Sequence, residues 1–444
     1  MIDRNDIPAK PEARAHPSRR GVLVFLVACV VFGSRLPAEP HFVDESAYVA
    51  QSYYADLLLQ GRRDDPAWLE YPAYDLPPLA KYLVGFALRL GGFARPGTSA
   101  SAAWYENTSR RFETDASLTA ARIPSVLLGA AGCVALWSIA ANAFGGSAGL
   151  VAAALLMASP LYRLHARRAM SDVPAEACLL VALAFGLVSW SRWVGGKGGS
   201  RAAVGMILGA GVFAGLSVLA KLNGAIACMI LGTWAFLGVL LDRVPARSKL
   251  GLAASTLGAV AVAFGTFVAL NPFLTAKPPG PIRADLEGVA AAGFLERVDA
   301  VRRHRVEVSR RGQEIFPRDA LTTPTAKLAA VAVQGYGRFS PLGPSHSDST
   351  KRYDVSQDWG VVLWAPLVIA GAVVCVRRGM VQRRSGLPPI AWAVGVGALV
   401  ALAAVTAFIP LAWDRYYLSI QPGAILLASA ALTTPSALRR REPA

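Results

Sequence analysis

Leu79-Ala80-Lys81-Tyr82-Leu83-Val84-Gly85-Phe86-Ala87-Leu88-Arg89-Leu90-Gly91-Gly92-Phe93 follows a double proline and decides how the chain is threaded. About fifteen helical residues reach about 22 Å, short of the ~30 Å hydrocarbon core of a bilayer. The stretch also carries Lys81 and Arg89. It therefore reads as a helix lying in the membrane surface, not as a span. Composition makes the bilayer the relevant solvent. The chain has 444 residues, 54% of them hydrophobic and 17% charged, where a soluble protein carries about a quarter charged residues. Long apolar runs alternate with short basic linkers, the pattern of a polytopic membrane protein. The net charge of +16 sits mainly in those linkers, so it reports orientation in the bilayer and implies no nucleic-acid partner. Cys29, Cys133, Cys178, Cys228 and Cys375 all lie in apolar runs without metal-ligand or disulfide spacing, and read as small buried hydrophobes.

Working outward, ten spans are expected: 21–37, 119–144, 147–162, 173–191, 202–219, 222–241, 250–270, 359–376, 387–409 and 417–433. With 79–93 on the surface, four basic clusters fall on the cytoplasmic side, as the positive-inside rule requires. They are Arg192/Lys197/Arg201, Arg243/Arg247/Lys249, Arg377/Arg378/Arg383/Arg384 and Arg439-Arg440-Arg441. Were 79–93 to cross, all four would face outward. The organisation that follows has a disordered cytoplasmic tail (1–20), a membrane module (21–270) with a first outer loop (38–118), an outer-face loop or lid (271–358), C-terminal spans (359–433) and a basic cytoplasmic tail (434–444). Residues 21–37 read as a retained anchor more than as a cleaved signal peptide. Within 271–358 the pattern suggests a basic helix near 284–311 and an irregular cover around Gly335 to Arg338 and Ser340 to Thr350. Asn107-Thr108-Ser109 fits a glycosylation sequon.

This threading gathers a set of ionisable residues on the outer face. His41-Phe42-Val43-Asp44-Glu45-Ser46-Ala47-Tyr48 opens an amphipathic helix, with Ala47, Ala50, Tyr54, Leu57 and Leu58 at helical spacing and Gly61 as the stop. Adjacent carboxylates at a helix start can be plain caps. Asp44 and Glu45 project about 100° apart around the helix, so the two are not expected to share one task. The same face holds Asp75 and Lys81, the turn from Tyr162 to Asp172, Lys221-Leu222-Asn223, and Trp413-Asp414-Arg415-Tyr416-Tyr417. Arg163, Arg167 and Arg168 break the positive-inside pattern. They either snorkel to lipid headgroups or gather round the carboxylates to hold an anionic substrate. The pairs Tyr53-Tyr54 and Tyr416-Tyr417 suit an interfacial belt or stacking on a sugar, and His165, His304 and His346 lack ligand spacing.

In order and sidedness these motifs resemble the GT-C membrane glycosyltransferases, among them the protein O-mannosyltransferases and the aminoarabinose transferase acting on lipid A. Asp44-Glu45 resembles their first-loop acidic motif. Asp75-Leu76-Pro77-Pro78-Leu79-Ala80-Lys81 is similar to the mannosyltransferases' His-Pro-Pro-Leu-x-Lys element, with Leu76 in place of histidine. Ala121-Arg122-Ile123-Pro124-Ser125, Ala158-Ser159-Pro160-Leu161-Tyr162, Ala166 to Asp172, Gly215 to Gly224 and Asp414-Arg415-Tyr416-Tyr417 resemble later landmarks.

The resemblance implies an all-α polytopic membrane protein, a GT-C-like bundle of about ten transmembrane helices with juxtamembrane helices on the outer face. It implies a multi-pass protein of the bacterial inner (plasma) membrane. The implied reaction moves a sugar, with inversion, from a polyprenyl-phosphate-linked donor to a glycan, lipid or protein acceptor on the outer face. Asp44 would be the base. Glu45 would orient the loop or a donor hydroxyl. Asp172, at the second acidic position, would bind acceptor or a divalent cation with the first-loop carboxylates, Asp75 joining that set. Lys81, Arg168, Lys221 and Arg415 would hold the lipid phosphate, with Tyr416 beside them. A transporter or lipid flippase is the competing class, as is a non-catalytic protein of the same fold. Transporters, however, place charges near the bilayer midplane, and here they collect at one end of the spans.

Overall fold

The computed structural model describes residues 17–93, 115–242, 244–343 and 359–434. The sequon at Asn107, His346, and the tails 1–16 and 435–444 lie outside the described residues. The described residues are mostly helical, with turns and loops between the helices, no strand, and one isolated bridge, Ala320 to Leu411. The helices that position the site are α1 (Pro17–Gly33), α2 (Val43–Ala50), α3 (Leu79–Leu90), α4 (Asp115–Phe144), α5 (Gly146–Ala158), α6 (Pro160–Ala166), α7 (Asp172–Val194), α8 (Arg201–Ala220), α9 (Ile226–Leu240), α10 (Ala246–Ala269), α11 (Phe294–Ile315), α12 (Trp359–Arg384), α13 (Ile390–Phe408) and α14 (Gln421–Thr433).

Among the described residues eight helices are long and apolar enough to cross a membrane, and α5 with α6, bent by 67°, makes a ninth if it counts as one span. The break falls at Ser159-Pro160, where the serine hydroxyl caps the second half and Pro160 opens it. The expected tenth span, 417–433, is shorter than its hydropathy suggests. Asp414–Ile420 winds as a 3₁₀ turn and only α14 is α-helical. Thirteen residues rise about 20 Å, and α14 is buried along most of its length among α5, α12 and α13.

Leu79–Leu90 does not pass as a span. It lies against α4, burying Ala80, Lys81, Tyr82, Val84 and Leu88. Gly85 is required there: a Cβ would sit 2.4 Å from the Ser52 carbonyl oxygen. The amphipathic run from Asp44 is two helices, not one. Val43–Ala50 and Tyr54–Leu59 are joined by a turn at Gln51 to Tyr53, and Gly61 ends the second with φ +68°.

The two ends of the bundle differ. At one end Arg20 lies over Gly146, the Arg378 guanidinium lies 5.9 Å from the Phe144 ring, and Arg383 pairs with Asp242 at 2.8 Å. Arg378 and Arg383, from one of the basic clusters, thus share this end with Arg20. The opposite end carries Asp44, Asp172, Lys221 and Arg415. Gly335 to Arg338, read from sequence as part of an irregular cover, instead end a π-helical segment (Val331–Arg338) that follows a short helix (Pro324–Ala330) and packs on α12. Gly335 lets the segment approach the Asp414–Ile420 turn, since a Cβ would meet the Ile420 side chain at 2.6 Å.

Candidate active site

Glu45 and Asp44 are neighbours in sequence and strangers in environment. Glu45 is fully buried and accepts four hydrogen bonds: Arg122 Nε at 2.8 Å and Ala169 N–H at 2.8 Å on Oε1, and Arg122 Nη2 at 2.7 Å and Phe42 N–H at 3.0 Å on Oε2. A carboxylate has about four lone-pair sites, so none is left for substrate. Arg122 spends its other donors on the carbonyls of Leu36, Glu39 and Pro40. This pair clamps the start of the first loop to α4 and to the turn before α7. Tyr48 adds a second stitch, its hydroxyl donating to Ser171 Oγ at 2.7 Å.

The stitches bring Asp44 to Asp172. Asp44 is a third exposed and ion-pairs with Arg415, which lies 371 residues away in sequence. Asp172, only 2% exposed, receives Lys221 Nζ at 2.6 Å. The Arg415 guanidinium feels both carboxylates, which hold its pKa above the ordinary value although burial opposes them. It lies 4.8 Å from the Trp413 ring and 5.9 Å from Tyr416, and Lys221 Nζ is 5.5 Å from the Tyr416 ring. Burial, then the carboxylates of Asp172 and Asp44, push the Tyr48 phenol up.

Two neighbours to which the sequence assigned no site role complete the cluster. Asp414 Oδ2 is 3.5 Å from His165 Nε2, and His165 is buried. Burial would raise the Asp414 carboxyl, but His165, the Arg415 N–H and Arg168 hold it below the usual carboxylate range. Arg168, 8% exposed, lies 4.1 Å from the Phe42 ring, and its Nε has no hydrogen-bond partner among the described residues. Glu176, one turn beyond Asp172, is also buried, and its Oε1 has no hydrogen-bond partner among the described residues. The only signals for His165 and Asp414 in the sequence were their places in an arginine-rich turn and beside Arg415.

Other expected site residues lie elsewhere. Lys81 is completely buried, donates to the Pro72 carbonyl and lies 5.0 Å from the Tyr54 ring. Burial pushes its pKa down to about 7, partly offset by Asp75. Asp75 accepts from His304 at 2.9 Å and Arg305 at 3.3 Å, which outweigh burial and lower its pKa. Asp75 thus fastens the first loop to α11, while Lys81 bonds within that loop. Arg167 caps α1, bonding the carbonyls of Val31 and Phe32. Tyr53 and Tyr54 are core residues rather than a belt, and Tyr417 is buried on Phe339 with its hydroxyl on Gln334. An open cleft of about 770 Å³ lies near Tyr74, Phe273, Arg297 and His304, away from Asp44. Among the described residues no three His, Cys, Asp or Glu side chains gather as a metal site.

The chain has the GT-C fold, a polytopic helical membrane bundle. The family model for dolichyl-phosphate-mannose-protein mannosyltransferase matches residues 102–267. The chain is similar to ArnT from Cupriavidus metallidurans in the apo state, with 17% identity and a TM-score of 0.51 over 95% of this chain and 61% of that one. It is also similar to the Archaeoglobus fulgidus oligosaccharyltransferase tethered to an acceptor peptide, with 14% identity and a TM-score of 0.53 over 93% of this chain and 49% of that one. The chain thus spans less than two thirds of either protein's length. No curated protein sequence matches it significantly.

Proposed function

We propose that the protein transfers a sugar from a polyprenyl-phosphate-linked donor to an acceptor on the outer face of the bacterial inner membrane, with inversion at the anomeric carbon. The acceptor oxygen attacks that carbon and gives its proton to Asp44. The bond to the phosphate oxygen breaks, and the leaving lipid phosphate keeps the electron pair. Arg168, Lys221 and Arg415 stabilise the charge that accumulates there. Tyr416 flanks the opening, and Asp172 holds Lys221 in place and contributes to acceptor binding. Glu45 orients the loop through Arg122.

The single observation carrying this reading is that Asp44, alone of the adjacent acids, is partly exposed and faces a cationic cluster shared with Asp172. The matching family description names a dolichyl-phosphate sugar, which supports a lipid-phosphate donor. The outer face is supported by the basic loops at the opposite end of the bundle. Glycan, lipid and protein acceptors all suit the site, and Leu76 in place of the mannosyltransferases' histidine weighs against protein mannosylation. The test is reconstituted protein offered a panel of polyprenyl-phosphate sugars, with products read by mass spectrometry. A glycosylated product is expected. Solute flux in proteoliposomes with no such product would instead favour a transporter.

A further inference from the structure

Two of the site's three cations are paired with carboxylates. Arg415 is on Asp44 and Lys221 is on Asp172. Arg168 has no carboxylate within ion-pair distance among the described residues, and its buried Nε is unpartnered. An incoming phosphate therefore finds one unpaired cation and two that must be shared or exchanged. The proposed chemistry also needs Asp44 free to take a proton, whereas a carboxylate held by a guanidinium is a poor acceptor. Both problems have one solution.

Resting on the reading of the site given above, we infer that Arg415 is an exchanging latch. In the empty site it pairs with Asp44. When the donor's phosphate docks on Arg168, Arg415 transfers to the phosphate and uncovers Asp44 for the acceptor. Arg415 is suited to this exchange because its planar group lies within 4.8 Å of Trp413 and 5.9 Å of Tyr416. It can rotate while keeping an aromatic neighbour and the field of Asp172. Lys221 is the less suited exchanger, because removing it would strand Asp172 in a buried site. The latch couples donor binding to base exposure, so a hydroxyl arriving without a donor meets no free base.

Asp44 thus competes with the donor phosphate for Arg415, and removing that competitor should strengthen binding. The experiment measures undecaprenyl phosphate binding to the full-length protein in zwitterionic nanodiscs by native mass spectrometry. Asp44→Asn should bind about tenfold tighter than wild type, within the usual range of site-to-site coupling. Arg415→Met should bind more weakly, and in that background Asp44→Asn should bring no tightening. Arg415→Lys, which keeps the charge, serves the same cycle if the methionine variant does not fold. Unchanged or weaker binding by Asp44→Asn overturns the latch, as does absence of binding by every variant. Equal tightening with and without Arg415 overturns it too, since that is the general loss of a negative charge. The readout needs no turnover. Tightening without detectable sugar transfer would sink the proposed reaction and leave the latch standing, and transfer without tightening would do the reverse.

Discussion

Changing Glu45 to Gln should cost stability far more than chemistry. The substitution keeps the shape but replaces one acceptor oxygen with an NH₂ group that faces other donors. The Glu45 and Arg122 side chains are 0% and 1% exposed, so the guanidinium is left charged and buried without a carboxylate, its partners reduced to one amide oxygen and the carbonyls of Leu36, Glu39 and Pro40. Breaking a buried pair in this way costs about 3–5 kcal/mol, or about two to three and a half powers of ten in the folding equilibrium. Asp44→Asn should cost about 1 kcal/mol or less, because Asp44 is a third exposed and Arg415 keeps Asp172 nearby. Thermal unfolding of both purified variants in one detergent separates the two cases. The double variant Glu45→Leu/Arg122→Met should recover little of the loss, since it also strands the N–H groups of Phe42 and Ala169 and the carbonyls of Leu36, Glu39 and Pro40. If Glu45→Gln melts with wild type, the clamp is not holding the loop. If it melts with wild type and also abolishes transfer, the roles assigned to the two acids are exchanged.

Three further outcomes follow from the packing. Lys81 is buried with its pKa pushed down from 10.5 to about 7, so the cost of burying its charge is fully present below pH 7 and is relieved as pH rises toward 10.5. Stability should therefore climb across that window by up to about 1.4 kcal/mol per pH unit from this group, and Lys81→Met should remove that climb in pH-dependent melts. A melt difference between wild type and Lys81→Met that stays constant with pH contradicts the assignment. Gly85→Val should destabilise by about 1–3 kcal/mol or more through overpacking against Ser52 and Ala55, and a neutral effect on the melting temperature would show that α3 does not pack there. Asp75→Asn should loosen α11 by weakening its contacts with His304 and Arg305. Hydrogen exchange should rise over 294–315 while the Asp44 region stays protected, and unchanged exchange over 294–315 would refute the fastening role.

Much of the architecture was legible because a bilayer imposes length and charge rules on sequence. Leu79 to Phe93 is too short to cross, and its twelve-residue helix lies on the bundle instead. The short last span was not legible, because hydropathy does not distinguish the 3₁₀ turn at Asp414–Ile420 from α-helix. At the site, Asp44 and Asp172 could be assigned to one side by counting spans, and the divergence of Asp44 from Glu45 follows from helical geometry alone. Their partners could not be read: Arg122 and Arg415 lie 77 and 371 residues from the acids they meet, and no local pattern links them. Lys81 misled for a related reason. A lysine in a motif next to a membrane surface suggests a phosphate ligand, but its neighbours Ala80, Tyr82 and Val84 turn it into the core with Asp75 as its nearest acid.

The most direct measurement compares sugar transfer from a polyprenyl-phosphate donor by reconstituted wild type and Asp44→Asn, matched for folded protein. Losing the base should slow transfer by about 10²–10⁴-fold. Transfer by Asp44→Asn at the wild-type rate would contradict the account.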